Sequence, residues 1–288
     1  MKHYILFNPL AGSGGCKDKM SALKFEGETN AVYYDITRDG GYKDLLSQLE
    51  PEDKIVLCGG DGTLNSFING IDGLYIKNDI LFFAGGSGND FLNDIGETAS
   101  LKPIKINDYI KNLPTVTING KAYRFINGIG LGVDGYCCKE VNRIHKEKNK
   151  KANYALIALK GLLKAYTPVN ATVTVDGETV SYKKVWLASA MKGKYFGGGI
   201  GIAPDQNRFE EDGTVTCLVG HDLSRLKVIW LFTLIFKGTH TKHVKYVAVK
   251  KCHEIKVEFD RPTPMQIDGE TIPDVTSYIV TAKTKSLA

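Results

Sequence analysis

The sequence predicts a two-part fold: an α/β domain over residues 1–118, followed by an all-β sandwich decorated with helices over residues 119–288. Three observations predict it. Short apolar runs alternate with helical patterns in the first third, whereas after about residue 115 apolar runs succeed one another across short turns. The charge balance also changes sign there: residues 1–120 hold 11 Lys+Arg against 16 Asp+Glu, net −5, and residues 121–288 hold 26 against 16, net +10.

In the first domain, Tyr4 to Phe7, Ala31 to Tyr34, Lys54 to Cys58 and Ile80 to Phe83 are rich in β-branched and aromatic residues, the pattern of buried strands. Between them, Lys17 to Phe25, Tyr42 to Leu49 and Leu64 to Ile71 space their apolar residues as helices do. Strand and helix in alternation imply a parallel sheet with helices on its faces, and ligands in such folds sit beyond the carboxyl ends of the strands. In the second domain, Thr115 to Ile118 and Lys121 to Ile126 flank Asn119-Gly120, a two-residue hairpin turn. Further strands are expected at Ala171 to Val175, Thr179 to Ala190, Thr214 to Val219, Lys245 to Val249, Glu254 to Phe259 and Ser277 to Ala282, with Asp176-Gly177 as another turn. Asn153 to Ala165 and Ser224 to Phe236 read as helical insertions. A sandwich or open barrel follows, with the domain boundary near residues 112 to 120.

Apolar content of 43% and charged content of 24% exclude a disordered or fibrous chain. The longest apolar stretch, Val228 to Phe236, is far short of the ~18 residues a membrane-spanning helix needs. The N-terminus has neither the long apolar core nor the cleavage site of an export signal, so a cytoplasmic protein is expected. Its six cysteines lack zinc-type spacing and read as reduced thiols. An acidic first part suits Mg²⁺ with its nucleotide, and a basic second part suits an anionic surface. The second part has no RNP-like or helix-turn-helix signature, so no nucleic-acid partner is expected.

The strongest local motif is Gly59-Gly60-Asp61-Gly62-Thr63-Leu64-Asn65, between a strand and a helix. Glycines there let backbone N–H groups approach phosphate oxygens, and the helix N-terminus adds a positive dipole end. Asp61 would repel a bare phosphate, so it points to Mg²⁺ or to a proton; its bland reading is a helix cap. Asn8-Pro9-Leu10-Ala11-Gly12-Ser13-Gly14-Gly15 and Gly85-Gly86-Ser87-Gly88-Asn89-Asp90-Phe91 are further Gly-rich turns at the same sheet edge. None carries a Walker A lysine, so the cradle is backbone amides and hydroxyls. Asp268 and Glu270 flank Gly269 late in the chain, either as a carboxylate pair able to take a proton from an alcohol or as a plain strand-to-strand turn, which Asp176-Gly177-Glu178 resembles.

Asn8-Pro9 with its trailing glycines, Gly59 to Asn65, Gly86 to Asp90 and Ile267-Asp268-Gly269-Glu270 resemble, in order and rough spacing, the catalytic domain of bacterial soluble diacylglycerol kinases and their relatives, sphingosine kinases included. The resemblance covers nearly the whole chain, although the glycine-aspartate turn is shared with NAD kinases and phosphofructokinases. It implies a Rossmann-like, phosphofructokinase- and NAD kinase-like nucleotide-binding domain, then a β-sandwich lipid-binding domain. It implies ATP and Mg²⁺ as cofactors and a lipid hydroxyl as acceptor, diacylglycerol giving phosphatidic acid. By the same resemblance Asn8, Pro9, Leu10, Ala11, Gly12, Thr37, Gly59, Gly60, Asp61, Gly62, Thr63, Leu64, Asn65, Ser66, Ser87, Asn89 and Asp90 surround ATP. Asp61 and Asp90 would organise the catalytic Mg²⁺, and one of Asp268 and Glu270 would be the general base. A second, structural Mg²⁺ is implied at the Asp212 carboxylate and the backbone carbonyls of Phe209 and Thr214. Departures from the family pattern are Ala11 for Ser, Gly85 for Pro and Ser87 for Thr, of which only Ala11 loses a contact. Relatives run on past the last strand and return to the first domain, so looser docking of the domains is expected here.

Other features stay open between two readings. The basic stretch Lys139 to Lys151 suits either lipid headgroups or a solvated helix face, and Leu156 to Leu163 and Ile229 to Phe236 either line a lipid cleft or pack a core. The expected partners are a membrane lipid and the anionic inner face of a membrane, touched peripherally; a free strand edge would let two copies pair as a homodimer. Alternative acceptors are a sphingoid base, a polyprenol, phosphatidylglycerol or NAD, and the non-enzymatic alternative is a lipid- and nucleotide-binding module. The alanine variants of Asp61, Asp268 and Glu270 are expected to fold normally and lose turnover.

Overall fold

The computed structural model describes residues 1–9, 30–37, 41–85, 89–97, 102–148 and 154–282. The chain divides into two compact units, Met1–Lys111 and Asn112–Ala288. The first is a mixed α/β domain and the second a β-rich, sandwich-like one. The helix expected over Lys17 to Phe25 lies outside the described residues.

In the first unit, β1 (Lys2–Phe7), β2 (Asn30–Asp35), β3 (Lys54–Gly59) and β4 (Asp79–Ala84) are parallel, and β5 (Ile104–Lys105) runs antiparallel to β4. The four parallel strands are those the apolar runs predict. The order β2-β1-β3-β4-β5 reverses direction between β1 and β3. That switch point opens a crevice beyond the carboxyl ends of these two strands, at Phe7 and Gly59. The helices are α1 (Gly41–Ser47), α2 (Asp61–Gly70), α3 (Asp90–Asp94) and α4 (Asn107–Ile110). Leu64, Phe67 and Ile68, at helical spacing, are fully buried and fix the inner face of α2. The helix ends at Gly70, where a Cβ would lie 2.2 Å from the Tyr42 ring of α1.

The second unit begins with the hairpin β6 (Thr115–Ile118) and β7 (Lys121–Arg124). Its turn has φ of 50° at Asn119 and 76° at Gly120, the left-handed pair that a two-residue hairpin needs. Both strands belong to this unit, which begins at Asn112. β8 (Gly128–Gly132) leads into α5 (Val133–Lys148), and α6 (Tyr154–Lys160) runs on into one π-helical segment, Gly161–Ala165. Then come β9 (Val169–Val175), β10 (Glu178–Val185), β11 (Leu187–Met191), β12 (Tyr195–Phe196), β13 (Ile200–Gly201) and β14 (Val215–Gly220). α7 (Arg225–Ile235), a 3₁₀ turn (His240–Lys242), β15 (Val247–Cys252), β16 (Glu254–Ile267) and β17 (Glu270–Thr281) complete it.

Ten of these strands form one sheet, β15-β14-β11-β8-β16-β17-β6-β7, with β9 also on β16 and carrying β10. The 14-residue β16 serves two neighbours: Ile255 to Phe259 pair with β9, and Met265 to Ile267 pair with β8. Register shifts between Glu258 and Met265 separate the two halves, so the sheet can turn on itself and enclose Ile255, Val257, Tyr278 and Val280.

The sequence reading differs from this unit in three places. Thr179 to Ala190 is broken at Trp186, whose indole N–H donates to the Leu223 carbonyl at 3.0 Å. The two last strands are far longer than expected, because Pro262 and Pro264 hide the continuity of β16. β8, Gly-Ile-Gly-Leu-Gly, gives no propensity signal; its glycines answer to close packing, since a Cβ at Gly130 would lie 2.1 Å from Asp134 Oδ2 and one at Gly132 2.5 Å from the Trp186 carbonyl. No helix among the described residues is long and apolar enough to cross a membrane.

Candidate functional site

In the first unit, the sequence-predicted residues fall at the carboxyl edge of the parallel sheet. Asn8 and Pro9 follow β1, and Leu10, Ala11 and Gly12 lie outside the described residues, as does Ser87. The Ile36 N–H donates to the Phe7 carbonyl at 3.1 Å, which joins the ends of β1 and β2. Thr37 follows, and its N–H and hydroxyl both donate to Asp35 Oδ1, at 2.9 and 2.7 Å. Gly59 ends β3, where a Cβ would meet Thr63 Oγ1 at 2.3 Å; only glycine lets the first turn of α2 fold back onto its own strand. The Gly85 N–H donates to the Gly59 carbonyl at 2.9 Å and binds the turn after β4 to the turn after β3.

Asp61 is 8% exposed, and its carboxylate does not cap its own helix. Instead Oδ2 accepts the Asp90 N–H at 2.9 Å and Oδ1 the Phe91 N–H at 3.2 Å, which supplies the first turn of α3 with acceptors. Asp61 is therefore a cap, of another helix than its own. The N-terminus of α2, starting after Gly60, has no side-chain cap, and the N–H groups of Gly62 and Thr63 have no protein acceptor among the described residues. Leu64 and Asn65 continue that helix inward, Ser66 is exposed and hydrogen-bonded to the Tyr42 hydroxyl, and Asn69 Nδ2 donates to Asn65 Oδ1 at 3.3 Å. Burial raises the Tyr42 pKa above its usual value. Asn89, before α3, has a buried Oδ1 with no partner. An open helix end with an orphan polar atom nearby fits a phosphate-bearing ligand.

In the second unit, Asp268 and Gly269 form the two-residue turn between β16 and β17, with φ of 46° and 93°. The Asp268 carboxylate is buried and accepts three consecutive backbone N–H groups, from Ile126, Asn127 and Gly128, at 2.7, 2.8 and 2.9 Å. The turn is held from beneath as well: Gly269 N–H donates to Gln266 Oε1 at 2.8 Å, and Gln266 Nε2 donates to the buried Asp134 at 2.7 Å. Glu270 is exposed at the start of β17, and its carboxylate makes no hydrogen bond among the described residues. The second Asp-Gly-Glu supplies a comparison. Asp176 and Gly177 form the same turn between β9 and β10, with φ of 46° and 86°, and Asp176 Oδ1 likewise accepts two N–H groups, from His253 and Glu254.

These bonds separate the three alanine variants in stability: removing Asp61 or Asp268 strips buried N–H groups of their acceptors, whereas the Glu270 carboxylate accepts none among the described residues. Sequence reading missed Arg208, whose Nη2 donates to Asn127 Oδ1 at 3.2 Å beside the Asp268 turn, and Gln266 and Asp134. Single polar residues of this kind carry no motif.

The loop Asn207 to Thr214 holds the remaining predicted residues. The Thr214 N–H donates to Asp212 Oδ1 at 3.2 Å and pulls the Asp212 pKa down; the Thr214 carbonyl accepts Gln206 Nε2 at 3.1 Å. Lys251 pairs with Glu210 and lowers its pKa, with help from the Thr214 hydroxyl at 3.0 Å. A depressed carboxylate and carbonyl oxygens are ligands of the type Mg²⁺ takes. No group of three or more His, Cys, Asp or Glu side chains gathers among the described residues, so a cation here would depend on those carbonyls.

Beneath α7 and the π-helical segment lies an apolar cavity, lined by residues such as Leu162, Trp186, Leu218, Leu231 and Phe232. His240 also lines it; its Nε2 is 2.8 Å from the Ile202 carbonyl, and its buried Nδ1 has no partner.

Residues 2–118 match the diacylglycerol kinase catalytic domain, and residues 127–284 match the YegS C-terminal NAD kinase beta sandwich-like domain. The chain belongs to the family that joins these two domains, within the lipid-kinase superfamily. It is 26% identical over 288 residues to a diacylglycerol kinase of Mycobacterium tuberculosis, covering 92% of this chain and 91% of that one. To a diacylglycerol kinase of Bacillus subtilis it is 24% identical over 280 residues, covering 92% and 88%. A solved diacylglycerol kinase from Bacillus anthracis shares the fold, with a TM-score of 0.59 at 16% identity over 100% of this chain and 98% of that one.

Proposed function

We propose that the chain is an ATP-dependent kinase that moves the γ-phosphoryl group of ATP to a lipid hydroxyl, with diacylglycerol as acceptor and phosphatidic acid as product. The observation that carries this reading is the uncapped N-terminus of α2 at the sheet's switch point, with Asp61 turned aside to bind the next Gly-rich turn. Backbone donors at Gly62 and Thr63 suit phosphate oxygens, and the turn residues Asn8 to Gly12, Thr37, Ser87, Asn89 and Asp90 complete the nucleotide site. Mg²⁺ would be served by Asp61 and Asp90, and when bound it neutralises charge on the phosphates. Because both Asp61 oxygens already accept N–H groups, its share in that ion is indirect. A second ion would be held by Asp212 with the carbonyls of Phe209 and Thr214.

The alcohol oxygen attacks the γ-phosphorus, the bond to the bridging oxygen breaks, and ADP leaves. The alcohol proton goes to a carboxylate of the Asp268–Glu270 turn. Glu270 has the open carboxylate and is the base in this reading; Asp268, committed to three amides, positions the turn. The apolar cavity of the second unit suits an acyl chain and has little for a dinucleotide, which favours a lipid acceptor over NAD. ATP as donor puts the protein at the cytoplasmic side of the membrane that holds its substrate.

The test is transfer of radiolabel from γ-labelled ATP, with Mg²⁺, to diacylglycerol in mixed micelles and to a total lipid extract. Labelled phosphatidic acid is expected. Label in another lipid corrects the acceptor, and no labelled lipid with either preparation removes the kinase reading.

A further inference from the structure

We propose that α7, flanked by the outer side of α6 with its π-helical extension and by the segment around Val244, is the surface on which the protein docks to an anionic lipid bilayer. The lipid-kinase reading gives this surface its purpose, but the observations stand apart from it.

α7 is apolar all round, with Arg225 and Lys227 at its start as its only charges. A short helix of that kind is normally buried on every side. Here only one side is: Val228 and Leu231 are buried and line the cavity, while Leu226 is 81% exposed and Trp230 43%. Leu226, Trp230, Thr233 and Lys237 follow one another at four-, three- and four-residue steps and make a single outer stripe. The Thr233 hydroxyl donates to the Trp230 carbonyl at 2.7 Å, so its polar group is spent within the helix. Phe236 and Val244, and Leu156 and Leu163 in the flanking segments, are further exposed apolar side chains. Arg225 Nη1 donates to the Leu162 carbonyl at 3.0 Å and fastens the two helices together.

The segments that form this patch carry charge of one sign, although Lys250 and Lys251, at the end of the later segment, pair with Glu178 and Glu210. Residues 223–252 hold seven Lys+Arg and no Asp or Glu, and residues 154–175 hold two lysines and no acid. Lys227 and Lys245 are exposed and lie 4.9 and 5.8 Å from the ring centroid of the half-buried Tyr246, whose hydroxyl accepts a hydrogen bond from Lys227 Nζ at 2.8 Å. Aromatic rings at the level of the headgroups, leucine, phenylalanine and valine beyond them, and exposed lysines around them are the chemistry of a membrane-surface helix. Nucleic acid would use the lysines and leave the apolar stripe in water. The inner side of the same helix lines the apolar cavity, so on a docked protein one helix separates bilayer hydrocarbon from that cavity.

The experiment uses the full chain without nucleotide and reads sedimentation with vesicles. Vesicles of equal parts phosphatidylglycerol and phosphatidylcholine are expected to bind it, pure phosphatidylcholine far less, and added salt to weaken the first. Trp230 emission shifts blue and is quenched by brominated acyl chains, against a constant background from buried Trp186. Leu226→Glu and Val244→Glu, each at an exposed position and checked for an unchanged near-ultraviolet spectrum, lower binding at least tenfold. Lys227→Gln and Lys245→Gln each lower it roughly fivefold at low salt. Wild-type protein that ignores phosphatidylglycerol vesicles overturns the proposal, as do Glu variants that bind unchanged. A patch that closes instead by self-association, lost in Leu226→Glu while vesicles stay unbound, also overturns it. Because no phosphate transfer is measured, a failed kinase assay leaves this result standing, and the reverse holds too.

Discussion

Asp61 shows how far a residue's bonding partners can lie from the motif that marks it. The glycines around it are adjacent in sequence and so were legible; the amides it binds lie 29 and 30 residues away, and those bound by Asp268 140 to 142 away, beyond any local pattern. Asp61→Ala is expected to lower stability by about 1–3 kcal/mol, read by urea denaturation, and to lose nucleotide binding as well. Glu270→Gln is expected to leave the unfolding midpoint unchanged and to reduce kcat by roughly a hundredfold or more. Equal kcat for that variant and the wild type would return the base role to Asp268. His240 gives a pH dependence. Burial lowers its pKa below 6.5, an effect larger than the opposing Ile202 and Asp205 contributions. The unfolded chain therefore takes up a proton more readily than the folded one, so stability is full above about pH 6.5 and falls as pH drops toward the folded value. His240→Gln should flatten that acid limb in urea midpoints measured at pH 7.5 and 5. His3 is lowered in the same direction, so part of the limb survives.

The parallel strands were legible because each is a run of apolar residues closed by glycine or a polar turn. β8 and α5 were not, because the contacts that specify them are tertiary. A Cβ at Gly135 would sit 2.0 Å from the Pro264 carbonyl, so α5 lies backbone against backbone on β16. Gly135→Ala must push the two apart and is expected to destabilise by about 1–3 kcal/mol, measured as a shift in thermal midpoint. α7 was legible as a helix but ambiguous in purpose. Its spacing cannot tell a core helix from one with a single covered side, and only the exposure of Leu226 and Trp230 separates them.

The two units differ in charge, in architecture and in what they can hold. Saturating Mg-ATP, at about a hundred times its Kd, should stabilise the unit it binds by about 2.7 kcal/mol. Hydrogen exchange read by peptide should show slower exchange in β1, β3 and β4, with the strands of the second unit as an internal reference; uniform exchange would argue against nucleotide in the first. Charge asymmetry and strand rhythm made this division legible from the sequence, while the path of the ten-stranded sheet, set by pairings between distant segments, was not. The repeated Asp-Gly-Glu hairpin has one more use. Asp176 and Asp268 anchor matching corners by the same kind of bond, yet only one is assigned to chemistry, so the molecule contains its own calibration. Whatever Asp176→Ala takes from stability sets a lower bound on the worth of an anchored corner, since Asp268 holds three buried amides and Asp176 two exposed ones; a turnover loss in Asp268→Ala beyond what its unfolded fraction explains belongs to the reaction.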